Sequence, residues 1–157
     1  MPSRSPAEKT QKVVAHKLDG SLLKGFIAGG FGADSVMGTQ PPAPPARLEI
    51  RPVNGNASVK VKLDDLKALF FVKSFEGSKA YHEVKFFNSQ PLLEGLWVRL
   101  RFKDNESTEG IIYNSLINLV SPGFFLKPPD PSSNNEIVYV LKDSLSDFRI
   151  LGVRSNY

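Results

Sequence analysis

The sequence contains no cysteine, so a disulfide framework, a thiol nucleophile and a cysteine metal site are all excluded. Histidine is nearly as scarce, with His16 and His82 the two present. His16 falls on an expected strand among valines and lysines, where a lone imidazole reads as an exposed strand residue. No stretch approaches the roughly 18 consecutive apolar residues that a membrane-spanning helix needs. The opening "MPSRSPAEKTQK" lacks the apolar core of a secretory signal. A cytoplasmic protein with no membrane insertion is the expectation. Also absent are a nucleophile elbow, a P-loop, a dinucleotide fingerprint and any metal-spaced pair of ligands. No catalytic residue, metal or cofactor is indicated, and the chain is not expected to be an enzyme.

The 157 residues are 41% hydrophobic and 23% charged, ordinary values for a globular chain with one core or two small ones. A net charge of +4 permits an anionic partner without requiring one. The more informative feature is self-similarity. "KVVAHKLDGSLLKGFI" from Lys12 aligns with "WVRLRFKDNESTEGII" from Trp97, setting Val13 on Val98, Ala15 on Leu100, Asp19 on Asp104, Gly20 on Asn105 and Gly25 on Gly110. Each copy reads as a strand, a tight turn needing positive φ, and a second strand entered through a glycine. Further on, Pro52 falls on Pro128, Val61 on Val140, Leu66 on Leu145, and Leu69 with Phe71 on Phe148 with Ile150. "DDLKA" and "DSLSD" are too short for an α-helix and read as single 3₁₀ turns before a last strand.

Five short strands with one 3₁₀ turn is the order of a small barrel. The fold expected is all-β: two repeated SH3-like or Sm-like barrel units of five strands each, joined by a short helical linker. Whether the units stand apart or share one sheet is open. Residues 1–11 read as a disordered tail, 12–76 as the first unit with a Gly/Pro-rich insertion at 28–46, 77–96 as the linker with a short helix over Ser78–Phe87, and 97–153 as the second unit. "LDGSLLKGFI" resembles the first Sm motif, but Ala28, Gly29 and Gly30 stand where that family carries an Asp and an Asn, so its RNA-pocket residues do not carry over. "VVAHKLDGSLLKG", "LKALFFVKSFEG" and "GFFLKPPDPSSNN" resemble recurring segments of a bacterial family of unknown function, which implies a bacterial source and no activity.

Three residue sets are candidates for binding. Lys60, Lys62, Arg99, Arg101 and Lys103 alternate with apolar residues, so each group lies on one strand face and could track a phosphate backbone. The same lysines serve solubility and protect sheet edges. "RLEIR" and "NESTEG" resemble the two signatures of PilZ domains. That resemblance implies cyclic di-GMP contacts at Arg47, Arg51, Asn105, Ser107 and Gly110, although a complete strand–turn–strand unit separates the two motifs here. Finally "PPDPSSNN" is either a hairpin connection or a recognition loop acting through Pro129, Asp130, Asn134 and Asn135. The function expected is a non-catalytic adaptor or regulatory module acting through contacts with another protein. A nucleic-acid-binding Sm-like protein and a PilZ-like cyclic-dinucleotide receptor are the alternatives.

Overall fold

The computed structural model describes residues 10–28, 43–55, 57–76, 86, 94–129 and 134–154. They fold as β1 (Thr10–Lys17), β2 (Leu22–Ala28), β3 (Arg47–Pro52), β4 (Val59–Lys62), β5 (Leu66–Val72), β6 (Gly95–Phe102), β7 (Ser107–Ile112), a one-turn helix α1 (Ile117–Val120), β8 (Gly123–Lys127), β9 (Asn135–Leu141) and β10 (Leu145–Arg154). Both expected 3₁₀ turns are present, at Leu63–Asp65 and Lys142–Ser144, but they start upstream of "DDLKA" and "DSLSD", and from Leu66 and Leu145 each quoted segment is already strand. Residues 1–9, 29–42, 77–85, 87–93 and 130–133 lie outside the described residues, and with them most of the expected tail, insertion and linker helix. Thr10 and Gln11, read as the end of the tail, belong to β1.

The expectation of an all-β chain holds. The ten strands form one antiparallel sheet in the order β10-β6-β7-β8-β9-β5-β1-β2-β3-β4, and that sheet is not closed. The reason is a single ladder. β9 pairs with β5 from Ala68↔Val140 to Val72↔Asn135, which carries the sheet across the middle of the chain instead of leaving two separate barrels.

This ladder explains why β5 and β9 read as nearly continuous apolar runs while the outer strands alternate. Leu66, Leu69, Phe71, Ile137, Tyr139 and Leu141 enter one core with Val13, Ala15, Leu48 and Ile50. Ala68, Val138 and Val140 enter a second core with Val98, Leu100, Phe102, Ile112, Phe124 and Leu126. Over Ala68–Val72 of β5 and Ile137–Leu141 of β9 the two faces pack against different cores, which is why these stretches carry no charged residue. On β6, by contrast, Val98, Leu100 and Phe102 point inward while Arg99 and Arg101 stay exposed.

The turns take the residues their geometry demands. Gly20 (φ 90°) and Asn105 (φ 73°) occupy the left-handed position of the β1–β2 and β6–β7 turns. Asp19 accepts hydrogen bonds from the Ser21 amide (2.8 Å) and hydroxyl (2.6 Å), and Asp104 accepts from the Glu106 amide (3.0 Å).

A charged cluster ties β5 to the β6–β7 turn. Lys67 Nζ donates to Asp104 (2.6 Å) and Glu106 (2.7 Å) and lies 4.4 Å from the centre of the Phe102 ring. Burial works against the Lys67 charge, but the hydrogen bonds to the two carboxylates outweigh it and raise its pKa. Asp104 is held below the usual carboxylate range, first by Lys67 and then by the Glu106 amide. The stability owed to Asp104 is present above the ordinary carboxylate pKa and lost as pH falls through its lowered folded value. That owed to Lys67 is present below the ordinary lysine pKa and lost as pH rises through its raised folded value. The cluster therefore stabilises between about pH 4 and pH 10. Lys67→Met is expected to cost about 1 kcal/mol at neutral pH and to flatten the acid and alkaline limbs of a urea-midpoint profile. Unchanged limbs would show that the cluster contributes nothing.

Candidate binding groove

β10 has one strand neighbour among the described residues, β6, whereas β5 has two. Its register sets Phe148 opposite Leu100 and Ile150 opposite Val98, so both side chains point to the face that carries the second core. With no strand on the outer side among the described residues, they are only half covered: Phe148 is 40% exposed and Ile150 54%. Phe148 packs edge-on against Phe124, with ring centres 5.7 Å apart. Leu145, Leu96 and Ile112 continue the apolar floor.

The far wall is the segment between β7 and β8. Asn118 donates from its side chain to the Tyr113 carbonyl (2.6 Å), and the Ser121 amide donates to the Ile117 carbonyl (3.0 Å). This winds residues 113–121 into one short turn that holds Leu116 and Leu119 out beside β10, both about three-quarters exposed (76% and 75%). The cavity between wall and floor measures about 710 Å³, with Lys142 and Ser146 among its polar lining. Pockets of a few hundred to about 1,000 Å³, mostly apolar with a few polar groups, are the usual form of a binding site. Asp147 pairs with Arg149 at 2.9 Å on the strand itself.

None of the candidate binding residues read from the sequence lines this groove, although Leu145, Phe148 and Ile150, noted there only as repeat counterparts, do. Lys60 and Lys62 lie exposed on β4 at one end of the sheet, while Arg99 and Arg101 lie on β6, next to the other end, with Lys103 just beyond it. Arg99 is engaged at 3.6 Å by the buried carboxylate of Glu109, which also accepts from the Trp97 indole (2.8 Å). Arg47 and Arg51 are on β3, with five strands between it and β7, which carries Ser107 and Gly110; Asn105 sits in the β6–β7 turn. Arg51 stacks over the Phe26 ring at 5.1 Å.

In the "PPDPSSNN" segment, Asp130 lies outside the described residues and Pro129 is half-buried. Asn134 has a structural role. Its side chain accepts from the Ser74 amide (3.0 Å) and donates to the Ser74 carbonyl (2.8 Å), while its own carbonyl accepts from Lys73 (2.9 Å). Asn135 is paired with Val72 in the β9–β5 ladder. His16, expected to be exposed, is half-buried and lies 4.2 Å from the Phe70 ring; burial and then Lys67 lower its pKa.

The signal that could have located the groove is the apolar content of "LSDFRILGV", a strand with no partner strand assigned to its outer side. Among the described residues, no group of three or more His, Asp or Glu side chains is arranged to hold a metal ion, and no helix is long and apolar enough to cross a membrane. A family model, described as a family of unknown function (DUF6982), matches residues 9–152, in agreement with the resemblance carried by the quoted segments. No curated protein and no solved structure matches the chain.

Proposed function

As the chain belongs to this family of unknown function, we propose a role for it from geometry: a non-catalytic binding module, built as two copies of one five-stranded unit, that acts through protein contacts at the β10 groove. The duplication is supported pair by pair. Val13↔Gly25 on β1–β2 corresponds to Val98↔Gly110 on β6–β7. Leu69↔Ala15 and Phe71↔Val13 correspond to Phe148↔Leu100 and Ile150↔Val98. Leu48↔Val61 corresponds to Phe124↔Val140. Backbone bonds outside the strands follow suit. Leu18 N–H to the Asp65 carbonyl matches Lys103 N–H to Ser144, and Leu63 N–H to Ala46 matches Lys142 N–H to Pro122.

The carrying observation is the contrast between corresponding residues. Leu69 and Phe71 are 0% and 1% exposed beneath β9, whereas Phe148 and Ile150 stand half exposed on a free edge above the groove. The first unit's last strand has its guest strand built into the chain, and the second unit's equivalent edge offers the same acceptor unfilled.

Selection from a displayed random-peptide library is the test. Peptides with alternating bulky apolar residues are expected to bind the protein, and Phe148→Asp or Ile150→Asp to weaken them roughly tenfold or more. Failure to select any peptide sensitive to those changes would overturn the proposal. Salt-sensitive RNA or DNA binding lost in Arg99→Glu and Arg101→Glu, or calorimetric heat with cyclic di-GMP lost in Arg47→Ala or Arg51→Ala, would replace it with one of the nucleotide readings.

A further inference from the structure

We infer that the free edge of β10 pairs with β10 of a second copy of this chain, antiparallel about a two-fold axis through Phe148. The inference rests on the reading of this edge as a protein-binding surface. Competence for pairing has a precedent inside the molecule. β5 carries β9 on its outer edge over Ala68–Val72, and its inner edge meets β1 with a register irregularity near Leu66. β10 has the corresponding irregularity between Leu145 and Asp147 and another between Ile150 and Gly152, leaving Asp147–Ile150 as the regular stretch.

The chemistry of that stretch selects both partner and register. Residues directly opposite each other in an antiparallel pair share a face, so apolar Phe148 and Ile150 must keep to one side and charged Asp147 and Arg149 to the other. A two-fold axis must then pass through a residue. Through Asp147 or Arg149 it would set two like charges opposite each other. Through Phe148 it sets Asp147 opposite the second copy's Arg149, twice, and brings the two Phe148 rings together on the groove side. The exposed apolar surface of Phe148 and Ile150 is then covered and the two grooves run into one.

The competing self-contact is head to tail, with β4 of one copy taking the place on β10 that β9 takes on β5. The side chains disfavour it. Lys60 and Lys62 would stand where Tyr139 and Leu141 stand, and Asp147 would replace Ala68 beside the buried Val61. Charges at these places block open-ended growth of the sheet, whereas the two-fold contact closes on itself.

The measurement is the mass of the full chain in solution by light scattering or sedimentation equilibrium, up to high micromolar concentration. Wild type is expected at twice the chain mass. Asp147→Arg and Arg149→Asp, both at exposed positions, should each raise the dimer dissociation constant roughly tenfold or more by placing like charges opposite each other. An equimolar mixture of the two variants should restore the dimer, because each then supplies the charge the other lacks. A monomeric wild type overturns the inference, as does a dimer indifferent to both variants or a mixture that stays monomeric. If the wild type is monomeric yet still takes library peptides sensitive to Ile150→Asp, the inference alone falls. If neither holds, the binding-module proposal falls with it.

Discussion

Phe71→Ala is expected to destabilise the protein by about 3–5 kcal/mol, the usual cost of emptying a phenylalanine site in a closed core. Phe71 is 1% exposed, sits between Val13 of β1 and Ile137 of β9, and lies 6.3 Å from the Phe125 ring. Its neighbours come from both halves of the chain, so they cannot collapse into the space without shifting the β5–β9 ladder. Against a typical total of about 5–15 kcal/mol, this is a large fraction of the stability. Ile150→Ala, at the corresponding place on β10, removes a side chain already 54% exposed. It should cost about 1 kcal/mol in dilute protein. Equilibrium urea denaturation of both variants checks the contrast. Equal losses would mean that β10 is covered as β5 is.

That contrast also marks where the sequence stops being informative. Strand alternation and the positive-φ turns at Gly20 and Asn105 follow from local chemistry and stand where it puts them. The 3₁₀ turns instead fall upstream of their expected places, covering the first two residues of "DDLKA" and "DSLSD" and leaving Leu66 and Leu145 to begin strands. The fusion of the halves does not follow from local chemistry. "ALFFV" and "IVYVL" announce strands buried on both faces, but nothing in either run says that they bury against each other. The groove was illegible for a related reason. Leu69-x-Phe71 and Phe148-x-Ile150 are equivalent apolar patterns, and what separates a buried pair from an exposed one is whether a strand lies alongside. Asn134 is a third instance. Its side chain completes the backbone bonding of Ser74, sixty residues away in sequence, a contact invisible until the β9–β5 ladder is in place.

Gly25 and Gly110 carry the second large effect, and here the two halves are expected to respond differently. Both glycines sit where a strand passes close over the next one, so the demand is for space. A Cβ at Gly25 would stand 2.4 Å from the Arg51 carbonyl oxygen and 2.6 Å from Cγ2 of Ile50. At Gly110 it would stand 2.5 Å from the Leu126 side chain and 2.7 Å from the Lys127 carbonyl oxygen. Those carbonyls belong to the short β2–β3 and β7–β8 ladders, of two residue pairs each, so a retreating backbone opens the ladder itself. Each Gly→Ala change should therefore cost about 2–3 kcal/mol. The remedy differs. At Gly110 the closest atoms are Cδ1 and Cγ of Leu126, so Leu126→Ala in the Gly110→Ala background should recover part of the loss, the two changes together costing less than the sum of each alone. At Gly25 the closest atom is main-chain oxygen, so with Ile50→Ala, which removes the crowding Cγ2, the two costs should simply add and nothing be recovered. Two double-mutant cycles read by urea denaturation decide it. A recovery at Gly25 equal to that at Gly110 would mean that side-chain crowding, and not the approach of the backbone, is what excludes a Cβ at both positions.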